Sequence, residues 1–156
     1  GNQNGWMYAP GNGNGCAFWE QCAQWQAYKI MPADQFNNEW FDGYLQNVHK
    51  HILHESPRYN NYFIQDYWCY KHGMDSMGRL WNQSRNPEDA VEAYMRLTGI
   101  TDSEFNDEMY DCAARFATWD IPALEEYGAA KVDSRPLPAM PQGVRQLLAH
   151  QPRCGS

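Results

Sequence analysis

Eight consecutive residues, Val48-His49-Lys50-His51-Ile52-Leu53-His54-Glu55, hold the densest set of groups able to bind a metal or move a proton. On a helix each residue turns by about 100°. His51 and His54 would then share one face, Glu55 would lie a turn from His51, and His49 would point away. The order is HxxHE. Neither the zincin order HExxH nor its inverse HxxEH is present. Metal binding by His51 and His54 is therefore set against a plainer reading, in which exposed or capping histidines gather near a helix C-terminus and are favoured there by the helix dipole.

Glu20 is the second candidate. It stands within Phe18-Trp19-Glu20-Gln21-Cys22-Ala23-Gln24-Trp25. A carboxylate among rings is costly to bury unless a cation, a donor or a metal compensates it. The plainer alternative is a solvated acid beside Gln21 and Gln24. Asp66 interrupts a tyrosine face and is expected to be a buried acid bonded to a Tyr hydroxyl or an Arg. Cys69 and His72, three apart, form a conceivable thiol–imidazole pair, although nothing nearby marks the thiol as activated. Asp111 and Arg115 have the spacing of an ordinary ion pair on one helix. There is no GxSxG, no Walker loop and no GxGxxG. Seven Trp and ten Tyr would suit stacking on sugars, but most fall on apolar stripes and are read as core. Trp6 and Tyr8, in a Gly/Asn-rich loop, are the exceptions and are candidate ligand-binding rings.

These residues need elements to hold them. Residues 1–15 contain five Gly and four Asn, a composition for loop and turns. From Cys16 apolar residues recur with helical period. One helix runs to the residues before Pro32. Another is expected over 33–54, with a break at Gly43 conceivable. Ser56-Pro57 reads as the start of a helix that ends at Gly73 and is apolar on two sides, hence central. A short helix is expected over 75–83. Another opens at Asn86-Pro87 and ends at Gly99. A long one is capped by Thr101 or Asp102 and carries Phe105, Met109, Cys112, Ala113, Phe116 and Trp119 on one stripe. The last covers 122–131 after Pro122. Residues 133–156 form a Pro-rich tail with room for one short helix. No strand alternation or repeat is visible. The fold class is all-α: an irregular multi-helix bundle over 16–132, with the loop before it and the tail after it.

With 19 Asp and Glu against 12 Lys and Arg, the net charge of −7 disfavours a nucleic-acid or anionic membrane partner. No apolar run approaches the roughly 20 residues of a membrane span. Five cysteines, at 16, 22, 69, 112 and 154, include no CxxC pair and read as buried apolar residues.

The segments FWEQCAQWQAYK, HILHESPRYNNYFIQDYWCYKHGMDSMGRLW, PEDAVEAYMRLTGIT and FNDEMYDCAARFATWDIP together resemble a family of secreted bacterial proteins of the gluzincin metallopeptidase type. The resemblance spans about residues 15–122. It implies that Glu20 is the third zinc ligand, that two histidines come from an upstream HExxH helix, and that zinc acts on a peptide carbonyl. That HExxH is absent here. The resemblance thus makes this chain the helical part of a larger secreted, periplasmic or cell-surface protein, inactive without its N-terminal part. Zinc would be its cofactor, and a peptide or glycopeptide its ligand. A non-catalytic glycan-binding module and a purely structural or interaction domain are the alternatives.

Overall fold

The computed structural model describes residues 16–85 and 87–134. Seven α-helices and one 3-10 turn make up the described chain, with no strand among the described residues. They are α1 (Cys16–Ile30), the 3-10 turn (Pro32–Phe36), α2 (Glu39–Asn47), α3 (Ile64–His72), α4 (Ser76–Gln83), α5 (Ala90–Thr98), α6 (Asp102–Thr118) and α7 (Pro122–Ser134). The all-α expectation holds. No described helix is long and apolar enough to cross a membrane. Trp6, Tyr8, residues 1–15 and the tail beyond 134 lie outside the described residues.

Helix ends follow local chemistry. Asp89 and Thr101 each close a capping box, with Glu92 and Glu104 returning a carboxylate to the cap N–H. Gly73 and Gly99 end α3 and α5 with φ of 92° and 76°, conformations a side chain would oppose. Asp89→Ala and Thr101→Ala are each expected to lower stability by about 1 kcal/mol. Urea unfolding checks this, and a midpoint shift indistinguishable from zero would contradict it.

Three expectations need correction. The run 33–54 is not one helix. The Asn38 side chain accepts from the N–H groups of Trp40 and Phe41 and starts α2 at Glu39. After Asn47 the chain turns, and the expected helical face of His51 and His54 does not form. Each ring's Nδ1 instead accepts a backbone N–H two residues on, from Leu53 at 3.2 Å and Ser56 at 3.0 Å. Such local bonds offer the backbone an alternative to helix. Second, Ser56-Pro57 opens turns rather than α3. The Pro57 carbonyl accepts from Asn60 and Asn61, and the helix begins only at Ile64. Third, α5 is capped by Asp89 rather than from Asn86-Pro87. Gly43 does not break α2; it admits the Asn60 side chain against the helix, where a Cβ would collide with it.

The core is aromatic. Phe63, fully buried, lies between 4.4 and 6.2 Å, centroid to centroid, from the rings of Tyr62, Trp119, Tyr44, Phe36, Phe41 and Phe116. α3 is the central helix, with residues 61–69 all buried. Trp119 ends α6 in the left-handed region, φ 59°. This is a conformation costing roughly 1–2 kcal/mol for a residue with a Cβ. Its indole packs on Phe36, Phe63 and Phe116, which offsets that cost. Gly128 on α7 lies against it, with only 2.5 Å between a built Cβ and the Trp119 Cβ.

Candidate functional site

α1 carries Glu20, and one ridge of α1 is tied down along its length. The Ala17 N–H donates to Glu55 Oε1 at 3.3 Å, so the 49–60 turns satisfy a first-turn N–H of α1. Gln21 Nε2 donates to the Ile52 carbonyl. Trp25 Nε1 donates to Asp66 Oδ1 at 3.0 Å, and Lys29 pairs with the same oxygen. Positions 17, 21, 25 and 29 recur every four residues and form a single ridge. Glu20 lies about 60° round the helix from Ala17, beside exposed Ala23 and half-buried Gln24.

Among the described residues Glu20 differs from every other buried or half-buried acid. Glu55 caps α1. Asp66 bonds Trp25 and Lys29. Glu88 pairs with Arg96, and Asp89 caps α5. Glu108 accepts from the Tyr94 hydroxyl and meets His72. Asp111 accepts from Tyr67 and pairs with Arg115. Glu20 is half-buried and has no hydrogen bond or ion pair among the described residues. Its neighbour Trp19 packs on Trp81, with centroids 6.4 Å apart, and its indole N–H is buried without an acceptor.

His51 and His54 are exposed and held by the turn bonds already described. No three His, Cys, Asp or Glu side chains gather into a metal-sized group among the described residues. Glu20 belongs to no such group among the described residues.

The other sequence candidates resolve into structural roles. Asp66 is bonded to Lys29 and Trp25, not to the Tyr or Arg expected, and burial raises its pKa despite the lysine beside it. Cys69 accepts a weak bond from Ser76 and burial raises its pKa, while His72 faces Glu108 rather than the thiol. Burial pushes the Cys22 thiol up to about 12. Neither is an activated nucleophile. Asp111 and Arg115 pair as their spacing predicts. What sequence reasoning missed is the reach of these groups across the fold. Tyr94, Glu108 and His72 meet at 2.5 and 3.0 Å from three different helices, and no spacing rule signals that.

A family model matches residues 1–148. The chain belongs to that family, DUF6055, a family of unknown function. No curated protein and no solved structure matches it. The DUF6055 match takes in α1 with Glu20, the rings of the core and the Gly/Asn-rich segment that contains Trp6 and Tyr8.

Proposed function

We propose that this chain is the helical part of a secreted or cell-surface bacterial metallopeptidase-like protein acting on peptides or glycopeptides, with Glu20 as a zinc ligand. One observation carries the reading. Among the described residues Glu20 is the only buried or half-buried acid that has no partner. A partly dehydrated carboxylate gains from a cation, and a bound metal supplies one at about 2.0–2.2 Å. The two histidines and the general base would come from an HExxH segment on polypeptide outside these 156 residues.

Zinc, when bound, would supply Lewis-acid chemistry toward a peptide carbonyl and its attacking water. This chain would contribute charge and position. The bonds from Ala17, Gln21, Trp25 and Lys29 to Glu55, Ile52 and Asp66 hold α1 on two other segments, so the Glu20 backbone has little freedom. Support that fixes a ligand's position contributes to metal affinity, by about 10–100-fold where it is lost. The half-buried rings of Trp19, the residue before Glu20, and Trp81 pack on each other and would offer apolar surface to a substrate side chain.

Metal analysis of the full-length natural protein tests this. About one zinc per chain is expected, with at least a tenfold loss of affinity in Glu20→Ala and an unchanged helical circular dichroism spectrum. Undiminished zinc in the variant removes Glu20 from the site.

A further inference from the structure

The turns that follow α2 hold a second feature. His51 Nδ1 accepts the Leu53 N–H at 3.2 Å, and His54 Nδ1 accepts the Ser56 N–H at 3.0 Å. The His54 N–H itself donates to the His51 carbonyl at 2.9 Å, which joins the two turns end to end. Each imidazole bond closes a ring around one residue, Ile52 in the first turn and Glu55 in the second. Those two residues also hold the start of α1. The Ile52 carbonyl accepts from Gln21 Nε2, and Glu55 Oε1 accepts from the Ala17 N–H.

A ring nitrogen that accepts an N–H carries no proton of its own. Nδ1 is therefore bare in both rings, and the hydrogen of the neutral imidazole sits on Nε2. An Asn or Asp side chain makes the same bond, to the N–H two residues on, in an Asx turn. Histidine differs in one respect. Its second proton, gained at about pH 5–8 in an ordinary imidazole, lands on Nδ1 itself. Two N–H groups then face each other where one bond stood. Both rings are exposed, so the proton reaches them without unfolding.

We propose that His51 and His54 form an acid-sensitive clasp on the start of α1, closed while both rings are neutral and opened by their protonation. Opening releases the Ile52 carbonyl and the Glu55 carboxylate from fixed positions, so Ala17 and Gln21 lose their fixed partners. The charged groups around the clasp do not replace the lost bonds. Within the turns, His49 is exposed, Lys50 donates to Ser56 Oγ at 3.1 Å, and Glu55 pairs with Arg58 at 3.6 Å. α1 meets the turns through Ala17 and Gln21, both uncharged, and its acid Glu20 pairs with neither ring. Beside Ile52 and Lys50, α2 and α6 supply Tyr44, Met109, Cys112 and Phe116, with no acid among them. Neither imidazole has an ion pair among the described residues. The added charge therefore gains no counter-ion, and it stands near Lys50 and Arg58 in the same turns.

NMR spectroscopy of the whole 156-residue chain between pH 8 and pH 5 is the test. At pH 8 the imidazole nitrogen shifts of both rings are expected to report a bare Nδ1 and a protonated Nε2. The Leu53 and Ser56 amides should exchange about fivefold more slowly than in an unstructured peptide at the same pH. By pH 5 that protection should be gone, and protection at Ala17 should fall with it. In the double variant His51→Asn with His54→Asn, the side-chain oxygens can make the same bonds without titrating, and protection is expected to persist at pH 5. Rings with the proton on Nδ1 at pH 8 overturn the proposal, as does protection that is equal at the two pH values. An equal fall in the double variant assigns the acid response to other groups and overturns it too. No metal enters this experiment, so its outcome is independent of Glu20.

Discussion

Phe63→Ala is expected to lower the unfolding free energy by about 3–5 kcal/mol, a large share of the 5–15 kcal/mol typical of a domain. Phe63 is fully buried and within ring-contact distance of six aromatic side chains from the 3-10 turn, α2, the turn before α3, α6 and the α6–α7 corner. Removing the ring subtracts its transfer from water and leaves a cavity whose walls belong to several different elements. Those walls cannot all relax toward one point. Tyr110→Ala, at a ring 77% exposed on α6, is expected to stay within about 0.5 kcal/mol. Urea denaturation of both variants decides it. Similar losses at the two sites would mean that the stability does not reside in the ring cluster.

The second large effect concerns Asp66 and Lys29. Asp66 is 3% exposed, and burial raises its pKa further than Lys29 and Trp25 lower it. Lys29→Met removes the cation and leaves a buried carboxylate with only the Trp25 N–H. A loss of about 3 kcal/mol is expected at pH 7. The pH dependence has a definite sign. A carboxyl whose folded pKa lies above its unfolded value contributes fully below the unfolded pKa, and that contribution is lost as pH rises through the folded pKa. The Lys29→Met defect should therefore shrink as pH falls toward the usual aspartate range. Asp66→Asn, which keeps an acceptor for Trp25 and discards the charge, is expected to remove this dependence and to cost little at pH 7. Lys29→Met with Asp66→Asn should recover most of the loss. Unfolding measured from pH 4 to pH 7 checks all three, and additive losses that do not vary with pH would contradict the assignment.

The parts of the fold that were legible in the sequence are those settled within a few residues. Thr101 followed by Glu104, Gly73, Gly99 and Pro122 mark real helix ends because caps and stops act locally. The stripe of Phe105, Met109, Cys112 and Phe116 lies against the core because helical period decides which face is dry. Residues 48–63 were misread for an equally physical reason. Their spacing suits a helix, but the side chains of Asn38, His51 and His54 bond to nearby backbone N–H groups and divert the chain into a short helix and turns. Contacts between distant positions left no trace in the spacing. The Lys29 bond to Asp66 spans 37 residues, and the Gln21 bond to Ile52 spans 31. Glu20 was legible as an acid among rings. That it alone stays half-buried without a partner emerges only when every other acid has been placed.

The central claim is that Glu20 is aimed at a metal. Zinc-edge anomalous scattering from crystals of the full-length natural protein tests it most directly. The account predicts one anomalous peak at about 2.0–2.2 Å from a Glu20 carboxylate oxygen, with two imidazoles completing the protein ligands. A peak remote from α1, or a Glu20 carboxylate in open solvent with no metal beside it, would contradict it.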